Sequence, residues 1–385
     1  MYWHNGRSLG HTAEVAKISK AIEKDMPSNF MAGLTGAYTG LDMLSKKMDL
    51  VKLPGFSNYD RLSGWNYTGR QGMQPDELFA CRAEIATSFI KHYKPDIFLV
   101  NHVPKGLYDE LATALLLPRN GMRILTLRGI LFDKEKTDRE YFKGEALRWL
   151  LNTYDAIFVH IDPNVFSLEE NYHIPLEVSQ RIQYTGYLTE ESSFSKKVAR
   201  KQIGIDEEQK IVVCSMGGGQ GAFDIWKNII EALKNNINLF DMAYLILGPY
   251  LEPEDAKKII ELQNTYAWLQ VKTYVADMPV WMTASDLMIG AAGSNMLGEI
   301  LACKCNSIVI PRQVREVEQH IHSTILSNMK LVRMCALQDV LNGSLNKMVA
   351  TALTEPLSIS KSPLMNGSSK YCTYLSDWYN RTVKE

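Results

Sequence analysis

Two rhythms alternate along this chain: short apolar runs, and longer stretches whose apolar positions recur at helix spacing. In the first half, the runs 49–53, 96–101, 123–127, 156–160 and 181–184 read as strands. Residues 75–93 and 107–117 read as helices, and Ala13, Ala16, Ile18, Ala21 and Ile22 mark another helix directly after a glycine-containing turn at 6–11. Residues 188–195 are polar and lack periodicity, which suits a linker. The pattern then restarts, with strands at 210–215, 243–247, 270–275, 286–289 and 307–310 and helices at 222–234, 253–264, 294–302 and 316–328. Residues 359–370 break the regularity, with Pro363, Gly367 and several serines. The tail 371–383 is helical in pattern, with Tyr374, Leu375, Trp378 and Tyr379 on one face, and is expected to pack back on the first half.

Strands alternating with helices indicate parallel βαβ units. The expected class is therefore α/β, two Rossmann-like doubly wound domains facing a cleft, spanning 1–187 and 188–367 with helix 368–385 returning to the first. The length of 385 residues, about twice a usual domain, agrees with two. A net charge of −1 with dispersed Lys and Arg gives no electrostatic footprint for nucleic acid. No apolar run approaches the ~20 residues of a bilayer span, and His4, Arg7 and His11 interrupt any signal-peptide core. The scattered cysteines read as reduced thiols of a cytoplasmic protein, and Cys303-Lys-Cys305 has no second pair at zinc spacing.

The densest chemistry lies at Ser215-Met-Gly217-Gly218-Gly219-Gln220-Gly221, between an apolar strand and a helix start. A loop without side chains that opens a helix offers several backbone N–H groups to one anion, and the helix dipole adds about half a positive charge. Four glycines in five residues fit a diphosphate, although a tight turn also needs glycine. No Gly-Lys-Ser/Thr follows and Gly-x-Gly-x-x-Gly is absent here, which removes the P-loop and weakens a dehydrogenase. Further on, Gly290-Ala-Ala-Gly293-Ser294-Asn295 ends a strand and precedes Glu299. Glu299 reads either as an acceptor for both ribose hydroxyls or as a carboxylate complementing the helix dipole. Glu318 and Gln319 follow Pro311 and a strand, where they reach sugar hydroxyls or start a solvated helix.

The order of these elements resembles the GT-B glycosyltransferases, especially the MurG-like group of family 28 type. In that group a Gly-rich turn holds the nucleotide diphosphate, a Glu after an Ala-Gly segment holds the ribose, and a Glu/Gln pair addresses the sugar. The matching positions here are Gly217 to Gly221, Glu299, and Glu318 with Gln319. The first half is similar to a bacterial subgroup of predicted glycosyltransferases at Leu9-Gly10-His11, Pro104-Lys105-Gly106, Glu110-Leu111, Leu127-Arg128, Tyr154-Asp155, Asp162-Pro163 and Tyr184-Thr185-Gly186-Tyr187. Four departures stand out. The first turn has fewer glycines, Gly129 replaces an expected Asp, no cation follows Thr185-Gly186, and the first strand is nearly missing.

The resemblance implies transfer of a hexose or N-acetylhexosamine from a UDP-sugar to an acceptor hydroxyl, inverting and without a metal cofactor. No Asp-x-Asp, the pattern of a metal-held diphosphate, occurs in the chain. His11, at the start of the first helix, is the candidate base, its pKa lowered by the dipole so that the ring is neutral. Its rival reading is a helix-start histidine bonded to backbone. Gly10, Thr12, His102 and Asp133 are acceptor-side candidates, His160 and Asp162 end another strand, and aromatics Tyr59, Trp65 and Tyr67 of loop 54–74 offer a stacking surface. Leu41-Asp42-Met43-Leu44 with Lys46-Lys47 reads as a solvated helix face or as a peripheral membrane contact. Two other readings stay open: a sugar-nucleotide 2-epimerase on the same fold, and a decayed nucleotide-sugar-binding scaffold.

Overall fold

The structure, a computed structural model, describes residues 1–4, 9–55, 72–119, 121–312, 317–359 and 362–382. Gly6, Arg7 and Ser8 of the first turn, and the aromatics of loop 54–74, lie outside the described residues. The chain divides into two compact units, Met1–Leu188 with Asn366–Glu385, and Thr189–Met365.

The first unit is built on a seven-stranded sheet of β1 (Tyr2–Trp3), β2 (Met31–Thr35), β3 (Met48–Lys52), β4 (Ile97–Asn101), β5 (Met122–Leu127), β6 (Ala156–Val159) and β7 (Ile182–Tyr184). Their order is β3-β2-β1-β4-β5-β6-β7, with every paired ladder parallel. The first strand exists but is only two residues long, and both its side chains are fully buried. One strand escapes the apolar pattern. β2 contains Gly33, where a Cβ would come within 2.8 Å of the Trp3 ring. The helix expected over 107–117 is broken into Leu107–Asp109 and Ala112–Leu116, because Tyr108 and Asp109 take φ of 52° and 59°.

Helix Gly367–Thr382 belongs to this first unit. Tyr371 and Leu375 are buried in one cluster with Ile18, Ile22 and Phe158, and the Tyr371 ring meets Phe158 edge-on with centroids 4.8 Å apart. The segment around Leu41 also turns inward. Leu44 packs with Trp3, Val15 and Ala16, and Leu41 and Met43 cover that cluster. Leu44 is therefore spent in the core, while Leu41 and Met43 stay half-buried against it. No helix among the described residues is long and apolar enough to cross a membrane.

The second unit carries β8 (Ile211–Ser215), β9 (Met242–Ile246), β10 (Leu269–Lys272), β11 (Leu287–Ala291), β12 (Ser307–Ile310) and β13 (Arg333–Met334). Their order is β10-β9-β8-β11-β12-β13, again parallel throughout. Both faces are covered by helices, which is why β8, β11 and β12 read as near-continuous apolar runs rather than as alternation.

One buried charge pair organises the first unit far from its sequence neighbours. Arg82, with no exposed surface, donates through Nη2 to Glu110 at 2.7 Å and through Nε to the other carboxylate oxygen. Tyr2 donates its hydroxyl to the same carboxylate and accepts from the Leu107 N–H at 2.9 Å. Removing one partner of such a pair strands the other without solvent. Arg82→Met is expected to cost about 3–5 kcal/mol in urea unfolding, and Arg82→Met with Glu110→Leu to recover part of it; equal losses in the single and double variants would reject the assignment.

Candidate functional site

Three neighbouring strands of the second unit end at one edge. Ser215 pairs with Gly290 and Ile310 with Ala291, so the chain leaves β8, β11 and β12 side by side. The strand order also reverses between β8 and β11. Open α/β sheets bind ligands outside the carboxyl ends of the strands at such a reversal.

The glycine loop leaves β8 at this point and opens the twelve-residue helix Phe223–Lys234. Gly217, Gly219 and Gly221 take φ of 64°, 82° and 64°, which only glycine adopts without strain. A Cβ on Gly218 would fall 2.7 Å from the Tyr250 ring, and one on Gly219 would fall 2.2 Å from the Leu247 carbonyl. Backbone geometry thus accounts for each glycine, so the glycines alone do not decide between turn and ligand site. The amides add to the picture. Gly217 N–H donates to the buried Ser215 hydroxyl and Gly219 N–H to the Met216 carbonyl, both at 3.3 Å. Those of Gly218, Gln220 and Gly221 donate to nothing among the described residues.

Arg312 supplies what sequence reading missed. It follows β12 directly, and its guanidinium donates to the Gln220 carbonyl, which puts a cation on the rim of the loop. Only a residue that leaves the sheet two strands away can do this, so nothing near the loop in sequence signals it. Gln319 steadies the same residue by accepting from the Arg312 N–H at 2.9 Å. Glu318 is buried as the first residue of helix Glu318–Asn328.

Gly293 caps helix Ser294–Ala302, and a Cβ placed on it would meet nothing within 4 Å. Ser294 and Asn295 form the half-buried first turn. Glu299 is the sixth residue of that helix, and the first turn carries no acid. A dipole contact fades within one turn, so the dipole reading of Glu299 loses its basis.

In the first unit the order reverses between β1 and β4, and the carboxyl edge there is lined with histidines: His4 after β1, His102 after β4 and His160 after β6. His11 is the second residue of helix Gly10–Asp25. Its ring lies 4.2 Å from that of His4 and 5.4 Å from that of His102. His11 Nδ1 is 2.6 Å from Asn101 Oδ1, and Asn101 Nδ2 donates to Glu14 at 3.2 Å and to Thr126 at 3.2 Å. Arg128 Nε donates to the other Glu14 oxygen at 2.7 Å. Burial pushes the Glu14 carboxyl up, but Arg128 and these hydrogen bonds outweigh it and leave the group below its ordinary value.

All four imidazoles are driven toward the neutral form. Burial, reinforced by His4, Arg128 and His102, holds His11 well below the usual histidine range. Burial is also the leading cause at His4, His102 and His160, lowered to about 4, 3 and 4. The neutral His11 expected from the helix dipole is present, then, but burial produces it.

The remaining candidates do other work here. Thr12 accepts from the Trp3 indole at 3.2 Å, Gly10 opens the helix, and exposed Asp133 caps a short helix by accepting from the Lys136 N–H. Asp162 accepts from the Asn164 N–H at 2.8 Å. Gly129, where the subgroup suggested Asp, has no room for a side chain: a Cβ would sit 2.2 Å from Ile161.

Residues 212–371 match the Glycosyltransferase family 28 C-terminal domain. The chain is 26% identical over 316 residues to the UDP-N-acetylglucosamine–N-acetylmuramyl-(pentapeptide) pyrophosphoryl-undecaprenol N-acetylglucosamine transferase of Acetivibrio thermocellus, covering 80% of this chain and 76% of that protein. Among solved structures, Acinetobacter baumannii MurG superposes with a TM-score of 0.61 at 14% identity, over 98% of each chain. A UDP-GlcNAc 2-epimerase from Methanocaldococcus jannaschii reaches 0.61 at 11% identity, over 97% of this chain and 98% of that one, so fold alone does not separate the two activities. The family match and the transferase relative do. The chain is a glycosyltransferase with the GT-B fold that carries a family 28 C-terminal domain and is similar to MurG.

The histidine cluster carries a pH signature. An unfolded histidine titrates near 6.5, whereas His4 and His160 are lowered to about 4 in the fold. Between those values the unfolded chain binds more protons, so stability rises with pH and is lost as pH falls. The urea midpoint is expected to drop between about pH 6.5 and 5, above the usual carboxylate range; a flat midpoint there would mean the rings are charged in the fold.

Proposed function

We propose that this MurG-like glycosyltransferase moves a hexose or N-acetylhexosamine from a UDP-sugar to an acceptor hydroxyl, with inversion and without a metal cofactor. The observation that carries the reading is the loop 216–222 at the strand-order reversal, with Arg312 on its rim. The second unit takes the donor. The amides of Gly218, Gln220 and Gly221, the positive end of helix Phe223–Lys234 and Arg312 meet the charge that grows on the departing diphosphate. Such preorganised donors act most strongly on charge that develops in the transition state, which is why a metal is not needed in this scheme. Glu299 accepts from the ribose hydroxyls, Gly293 to Asn295 let the backbone approach, and Glu318 and Gln319 address the sugar. That requires Gln319 to release the Arg312 N–H or to use its amide group instead.

The first unit takes the acceptor. His11, neutral at pH 7, removes the proton from the acceptor hydroxyl as its oxygen bonds to the anomeric carbon. The bond to the diphosphate oxygen breaks with its electron pair leaving on the nucleotide, so configuration inverts by direct displacement. The Asn101 contact, itself braced by Glu14, gives the ring a defined orientation.

A screen for UDP release across UDP-sugars and acceptor extracts tests the activity, and a donor that changes with no acceptor added would instead indicate an epimerase. Glu299→Ala and Arg312→Gln are each expected to weaken UDP binding about tenfold in calorimetry, the loss of one charge-assisted hydrogen bond; unchanged affinity removes the residue from the donor site. His11→Ala is expected to lower turnover at least about tenfold with UDP affinity nearly intact, and an unchanged rate rejects it as the base.

A further inference from the structure

The groups packed around His11 permit one arrangement of protons. Asn101 is 3% exposed, and its amide meets three partners. On one side stands Glu14, whose two oxygens receive Arg128 Nε at 2.7 Å and Asn101 Nδ2 at 3.2 Å. An ionised carboxylate only accepts, so the amide nitrogen must face Glu14. The amide oxygen therefore faces His11 Nδ1, at 2.6 Å. That oxygen also only accepts, so Nδ1 must carry the hydrogen. In a neutral ring the lone pair is then left on Nε2.

We propose that Asn101 is a positioning residue: anchored by Glu14 and Arg128, it holds the proton of His11 on Nδ1 and so presents Nε2 as the basic nitrogen. The tautomer of a histidine is set by the bond its other nitrogen makes. The charged and titratable groups facing the ring are Glu14 of its own helix at 3.8 Å, His4 after β1, His102 after β4 and Arg128 after β5. Neither His4 nor His102 can set the tautomer in place of Asn101, because among the described residues only the Asn101 oxygen lies within hydrogen-bond distance of Nδ1. Glu14 at 3.8 Å is too far to do so. This assignment deepens the reading of His11 as base but does not depend on activity being seen.

Long-range nitrogen–proton correlation spectra of imidazole-labelled protein at pH 7.5 decide it, with the His11 signal identified by its loss in His11→Gln. The expected wild-type pattern has a protonated Nδ1 and a bare Nε2, and a proton on Nε2 overturns the proposal. In Asn101→Leu, which keeps volume and removes the amide, the proton is expected to move wholly or partly to Nε2; an unchanged tautomer also overturns it. Should that variant not fold, the wild-type spectrum decides alone. In UDP release with the UDP-sugar that the screen identifies, Asn101→Leu is expected to lower kcat about tenfold or more with KM for the donor unchanged. Unchanged kcat overturns the positioning role if His11→Ala is impaired. If His11→Ala is also unimpaired, the base reading fails and the spectrum still judges the tautomer.

Discussion

A carboxylate that is 4% exposed cannot stay ionised unaided, and Glu14 is such a group. Arg128 from the end of β5 meets one oxygen and the Asn101 amide from the end of β4 meets the other. Most of the chemistry of the first unit hangs on that buried contact. It ties the helix that follows β1 to the two strands beside it, and it orients Asn101. It also places a fixed positive charge next to four imidazoles that burial already disfavours as cations. If Glu14 were removed, Arg128 would face the histidines without its counter-charge, and Asn101 would be free to turn its amide around.

The two units share one topology, to which the proposed reading gives opposite tasks. In each, strand order reverses beside the first strand, between β1 and β4 and between β8 and β11, and the functional groups sit at the carboxyl ends next to the reversal. The second unit fills that place with backbone, which suits the proposed diphosphate, a group that N–H donors must approach closely. The first fills it with imidazoles, which in the proposed reading supply a base that is unprotonated at neutral pH. Burial serves the two tasks differently. It strengthens amide donors aimed at an anion, and it keeps a histidine uncharged.

The sheet skeleton was legible because buried parallel strands are apolar throughout and helices between them are periodic. Pro75–Tyr93, Ser294–Ala302 and Ser307–Ile310 occupy the residues their pattern indicates. β2 was not legible, because Gly33 answers to the Trp3 ring and not to strand propensity. The break at Tyr108 was hidden for a similar reason: periodicity carries no record of φ. In the site, the glycine loop and His11 stood out by local composition. Arg312 and Asn101 did not, since each acts on a partner about ninety residues away, brought near only by strand order. Several motifs of the first half that suggested a family turn out to be braces. Glu110 holds Arg82, Asp155 accepts from the Arg123 N–H, and Tyr154 donates to the Pro104 carbonyl.

The departures from the family pattern bear on whether this is a working site or a decayed one. Gly129 looked like a lost acid, yet Ile161 fills the place that a side chain would need. No cation follows Thr185-Gly186, yet Arg312 stands at the glycine loop. The polar cluster of the first unit argues further. Nδ1 of His4, Nδ1 of His102 and Nε2 of His160 are buried with no partner among the described residues. An unmet buried polar atom costs about 1–3 kcal/mol. A scaffold relieved of catalysis would gain stability from apolar side chains in place of these unmet polar atoms. Costs of this kind gather where chemistry requires them. The histidine edge is therefore better explained by a reaction that uses it than by a fold that merely tolerates it.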